Sequence, residues 1–125
     1  MHHCHARGCI APIQMLDLMC ETHWHKVPSR IRMLIAASYR AGQDGTAAGR
    51  PSEIWQLASQ AAIAYVGLLD AHYASRAGIR TLIELGYEQN VIAAWGQRGP
   101  EYRKSCERVV AEIKKEIETD AHKTQ

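Results

Sequence analysis

No apolar run in this chain approaches the roughly 20 residues that a bilayer-spanning helix needs. The N-terminus, MHHCHARGC, lacks the basic stretch and apolar core of a secretory leader. Both absences predict a cytoplasmic protein with no membrane partner. Net charge is also small, +2 with a pI of about 8.4, so the overall balance does not mark a nucleic-acid or membrane binder. Sustained two-residue alternation between turns is missing, which argues against a sheet protein, and no repeat of 20 to 50 residues suggests a solenoid. Enzyme signatures are lacking too: there is no glycine-rich phosphate loop, no H-E-x-x-H, and no H-x-E followed by P-C-x-x-C. Serine, histidine and aspartate all occur, but no local pattern gathers them, and a non-enzymatic protein is expected.

What is present is dense at the start. Within 125 residues, enough for one compact domain, 46% are hydrophobic and 22% charged, the composition of a folded chain. Three of its four cysteines fall in the first 20 positions. In a reducing compartment, clustered cysteines are metal ligands more often than disulfides. Cys4-x4-Cys9 and Cys20-x2-His23 form two close pairs separated by a ten-residue connector, the division that a tetrahedral structural zinc site uses. Gly8 lets the chain turn tightly before Cys9. For the fourth ligand His23 has the best spacing, with His5, His3 and His25 as alternatives. Three thiolates and one imidazole leave no position for a water nucleophile, so the expected role is structural. Cys106 sits on an apolar helical stripe and reads as a buried free thiol. His72 reads as a packed or boundary histidine.

The rest of the chain reads as helices. The stretch between Ala11 and Cys20 is compatible with a single helical turn or an irregular loop. Pro28 and Ser29 open a first helix that closes at Gly42, with Ile31, Leu34 and Ile35 on its buried face. AGQDGTAAGR, residues 41 to 50, reads as a mobile connector. Pro51, Ser52 and Glu53 start a long second helix whose Ile54, Leu57, Ala58, Ala61, Tyr65, Leu68, Leu69 and His72 form its apolar repeat to about Ala77, where Gly78 ends it. Its alanines permit close approach of a partner helix. A short apolar piece follows to Gly86, then another short helix with Val91, Ile92 and Trp95. Pro100 opens a terminal helix carrying Tyr102, Cys106, Val109, Val110, Ile113 and Ile117, and the TDAHKTQ tail is expected to fray. The predicted fold is mostly α, with a zinc-stapled segment over residues 1–27 followed by a helical body over 28–125.

The order Cys4, His5, Gly8, Cys9, then Met19, Cys20, His23, Trp24, Val27, Pro28, then Tyr39, Arg40, Gly42, Gln43 resembles a group of small zinc-finger-like proteins encoded by bacteriophages and prophages. The match covers roughly the first 70 residues. It implies the same Cys/Cys/Cys/His zinc site and the cytoplasm of a bacterial host, and it carries no established activity. The expected function is a zinc-stabilised binding protein, a phage-encoded modulator or inhibitor of a host protein such as a defence system. Near-zero charge and long amphipathic helices suit a protein partner, host or phage, or a homodimer, in either case insensitive to salt. The alternative is nucleic-acid binding through Arg7, Lys26, Arg30, Arg32 and Arg40, since residues 26 to 40 hold four basic groups and no acid. Four such groups give only a modest electrostatic footprint.

Overall fold

A computed structural model describes residues 2–13, 18–38 and 52–123. The first arm is a small hairpin in which β1 (His2–His3) pairs antiparallel with β2 (Pro12–Ile13), His2 opposite Ile13 and His3 opposite Pro12. The Cys4 N–H donates to the Ala11 carbonyl at 2.9 Å and continues the ladder. Sequence periodicity gave no sign of this two-residue pairing, which is too short to alternate. A one-turn helix follows, α1 (Glu21–Trp24), then α2 (Ser29–Ala37), α3 (Glu53–Leu69), α4 (Arg76–Glu84), α5 (Glu88–Gly96) and α6 (Pro100–Lys123). The architecture is therefore mostly α, with the Cys/His arm at one end of a helical bundle.

Within the bundle α3 is central and packs against α2, α4 and α5, while α6 lies along α5 and α4. Four alanines of α3 (Ala58, Ala61, Ala62 and Ala64) are buried, and they let neighbours come close. A Cβ placed on Gly78 of α4 would stand 2.6 Å from both the Ala64 Cβ and the Gln60 carbonyl oxygen, so glycine is required there by contact with α3. Gly78 thus lies in the first turn of α4, where its N–H donates to the Ser75 hydroxyl at 3.1 Å, and it does not terminate the preceding helix. Ser52 caps α3 in the same way through the Trp55 N–H, as its position before Glu53 predicts.

The long second helix stops eight residues earlier than expected, at Leu69 instead of Ala77. Its end is a Schellman motif: Ala71 takes the left-handed conformation (φ 59°), its N–H meets the Leu68 carbonyl at 3.3 Å, and the His72 N–H meets the Gly67 carbonyl at 2.7 Å. His72 accordingly lies beyond the helix. Ile54 and Leu57 are exposed, contrary to the predicted face, whereas Ala58, Ala61 and Leu68 are buried as predicted. Helix α2 ends at Ala37, short of Gly42, and its Ser38 cap turns its hydroxyl back onto the Leu34 carbonyl at 2.7 Å. The connector at 41–50 lies outside the described residues.

Of the tail expected to fray, residues 119–123 belong to a helix, and Thr124 and Gln125 lie outside the described residues. Helix α6 continues to Lys123 because Arg80 of α4 pairs with Asp120 at 2.8 Å and Arg76 with Glu116 at 2.6 Å, tying its last turns to the body. His122 and Lys123 stand in the final turn, where positive charge suits the helix dipole. Among the described residues no helix is long and apolar enough to cross a membrane.

Candidate metal centre

The first pair of cysteines is positioned by a turn. The Cys9 N–H donates to the Ala6 carbonyl at 3.1 Å, and Gly8 at the third position has φ 80°, the value a type II turn demands. The same turn sends the Ala6 N–H toward the Cys4 Sγ at 3.5 Å. The second pair arrives on α1: Cys20 precedes the helix in extended conformation, and its carbonyl accepts from the Trp24 N–H at 2.9 Å. One helical turn then returns His23 to the side of Cys20. Both arms are stitched by His5, whose N–H donates to the Leu18 carbonyl at 3.1 Å and whose ring Nδ1 also meets that carbonyl at 2.8 Å.

Cys4, Cys9, Cys20 and His23 come together with their ligand atoms all within 4.8 Å of one another, an arrangement able to hold a metal ion. The individual separations are 4.0 Å between the sulfurs of Cys9 and Cys20, 3.5 Å from Cys4 Sγ to His23 Nδ1, and 3.1 Å from Cys20 Sγ to His23 Nδ1. A tetrahedral zinc ion with bonds of about 2.3 Å to sulfur and 2.0 Å to nitrogen sets edges of about 3.8 Å and 3.5 Å respectively. The Cys9–Cys20 and Cys4–His23 separations lie near those edges, and the Cys20–His23 separation is shorter. Cys4 is buried and the other three are half-buried.

Electrostatics differ among the thiols. Burial pushes the Cys4 thiol up, against the pull of N–H groups of Cys20 and Ala6 aimed at its sulfur. Cys20 is drawn down to about 7, foremost by the His23 N–H, with burial opposing and the His23 ring assisting. Backbone donors aimed at sulfur favour the thiolate, the form that binds metal.

Among the described histidines, His23 is the one that joins the three thiols. His5 is committed to Leu18, His25 faces Glu21 at 3.6 Å on the exposed surface, and His3 is exposed. The other ring nitrogen of His23, Nε2, lies 3.2 Å from Asp70 Oδ2. A carboxylate only accepts, so Nε2 carries the proton in the neutral ring and Nδ1 turns its lone pair toward the sulfurs. Asp70 also accepts from Lys26 Nζ at 2.7 Å. Burial alone pushes the Asp70 carboxyl up, but the Lys26 ammonium, aided by His23, outweighs it and holds the group below the usual carboxylate range. Sequence reasoning missed Asp70, which stands 47 positions from His23. One signal was available: it is the only acidic residue between Glu53 and Glu84.

Three of the five basic residues singled out for nucleic acid are engaged separately within the chain. Lys26 pairs with Asp70, Arg30 donates to the Leu85 carbonyl at 3.1 Å, and the Arg7 guanidinium stacks over the Tyr73 ring at 4.9 Å. Arg32 is half-buried with no hydrogen-bond partner for its buried Nε. Arg40 lies outside the described residues. Comparison with models of known families, with curated proteins and with solved structures finds no match to this chain.

Proposed function

We propose that this chain is a non-enzymatic binding protein whose N-terminal arm is held by one structural zinc ion on Cys4, Cys9, Cys20 and His23. The observation that carries this reading is the convergence of four ligand atoms, three sulfurs and one imidazole nitrogen, within 4.8 Å of one another. The donor set of three thiols and one imidazole favours zinc over the oxygen-seeking cations. All four positions are supplied by protein, which suits a brace better than a reaction centre. A helical body steadied in this way offers its outer faces to a protein partner, and the resemblance to phage proteins directs the search to host and phage proteins. Support for a protein over a nucleic acid comes from Lys26 and Arg30, whose charged groups are engaged within the chain.

Native mass spectrometry of untagged protein prepared without chelator tests both halves. One zinc per chain, with no co-purified nucleic acid, is the expected spectrum. A metal-free folded chain overturns the zinc reading. Nucleic-acid binding that weakens steeply between about 50 and 200 mM salt replaces the protein partner with phosphate.

A further inference from the structure

The metal centre has a partner outside the Cys/His arm. Asp70 caps the C-terminal end of α3 and offers one oxygen to His23 Nε2 at 3.2 Å and the other to Lys26 Nζ at 2.7 Å. Around it, the connector between α3 and α4 is held from both sides. The His72 ring lies against Gly8, close enough that a Cβ there would stand 3.2 Å from its Cε1 and Nε2 atoms. Tyr73 stacks beneath Arg7, so the same connector touches the turn that presents Cys9. From the opposite side Arg98 donates to the His72 carbonyl at 2.9 Å and Gln97 to the Leu69 carbonyl at 3.1 Å, both from the end of α5. A metal ligand, a turn between ligands and the end of α5 thus converge on residues 69–73.

Resting on the zinc reading above, we propose that Asp70 is a positioning residue of the metal centre, through which metal occupancy steadies the α3–α4 connector. A carboxylate on the distal nitrogen of a metal-bound histidine fixes the ring's tautomer and orientation and raises its basicity as a ligand; losing such a partner commonly costs 10- to 100-fold in affinity. The ring cannot be held by Asp70 without Asp70 being held by the ring. Zinc on Nδ1 therefore restrains the carboxylate, and with it the helix end from which His72 and Tyr73 depart.

The test uses the full chain in three forms: wild type, Asp70→Asn, and Lys26→Met, which removes the ion pair but leaves the carboxylate on His23. Zinc affinity is read by competition with a chromophoric chelator, and amide hydrogen exchange over residues 67–75 is followed with and without zinc. Asp70→Asn is expected to bind one zinc with a Kd raised about 10-fold or more, and to lose most of the zinc-dependent protection of the connector. Lys26→Met is expected to stay within about threefold of wild type, because the histidine contact is what the proposal weights. An Asp70→Asn protein with wild-type Kd and wild-type protection overturns the role of Asp70 while leaving the zinc site standing. An equal loss in Lys26→Met assigns the effect to the ion pair and overturns the histidine route. Equal thermal destabilisation of Asp70→Asn with and without zinc makes the residue merely structural and overturns the proposal as well. Failure of wild type to take up zinc overturns the centre itself.

Discussion

The N-terminal arm and the helical body hold their shapes by different means. In the arm, residues 2–13 and 18–27, only Cys4, Ala6, Met19 and Val27 are buried apolar residues, and two of those are small. Its backbone is fixed by a type II turn, a two-residue ladder and one short helix. Such a segment has little apolar area to offset its lost conformational entropy. The body instead buries Ile79, Leu82, Val91, Val110 and Ile113 between helices whose alanines and Gly78 permit near approach. Under the zinc reading, one region depends on ligand bonds and the other on packing. Their thiols follow burial and donors: within the arm Cys20 is drawn down to about 7 while burial pushes Cys4 up, and in the body burial, with Glu107 adding, pushes Cys106 up to about 11.

The sharpest way to break this contrast is to take a ligand. Structural zinc in finger-sized segments is held by about 10–16 kcal/mol near neutral pH, so most of the arm's order depends on it under the zinc reading. Cys20→Ser is expected to abolish stoichiometric zinc and to collapse hydrogen-exchange protection over residues 4–27, with helical circular dichroism from α3 to α6 largely retained. An arm protected as in wild type would show that packing suffices there. Leu82→Ala attacks the body: Leu82 is 0% exposed, and its truncation should cost about 2–5 kcal/mol in chemical denaturation with zinc content unchanged. Zinc loss in this variant would mean that the two regions fold as one. Gly78→Ala comes next at about 1–3 kcal/mol, since its new methyl must displace Ala64 or the backbone at Gln60, and this exceeds any gain in helix propensity.

How far the sequence displays these differences is visible in two helix ends of identical design. Helix α4 closes with Gly86 at φ 93°, its N–H on the Ile83 carbonyl at 3.0 Å and the Tyr87 N–H on the Leu82 carbonyl at 2.8 Å. Glycine marks that stop plainly. Helix α3 closes through the same pair of hydrogen bonds around Ala71, and alanine marks nothing, so an apolar repeat running on through His72 hid the boundary. The Cys/His cluster was legible because its members are particular side chains at short range, and the four that spacing favours are the four that meet. Asp70 was not legible in that way, because its partner is set by how α3 docks on the arm. Ile54 and Leu57 illustrate the converse: helical periodicity identifies a candidate face, but the neighbours decide whether that face is covered.

The two ends also supply the finest prediction. A left-handed conformation costs a non-glycine residue about 1–2 kcal/mol, because its Cβ crowds the following carbonyl. Ala71 bears that strain and Gly86 does not. Replacing Ala71 by glycine relieves it but adds about 0.4–1 kcal/mol of chain entropy to the unfolded state. The balance is a stabilisation of about 0.5 kcal/mol, readable as a small rise in the denaturation midpoint at constant slope. Gly86→Ala is its mirror: no atom lies within 4 Å of the added Cβ, so the loss, about 0.5 kcal/mol, comes from the backbone alone. If Ala71→Gly instead destabilises the protein, the strained turn is worth more rigid than relaxed. The reason would then lie in what departs from it, since His72 and Tyr73 reach the ligand turn only when the chain leaves α3 at that angle.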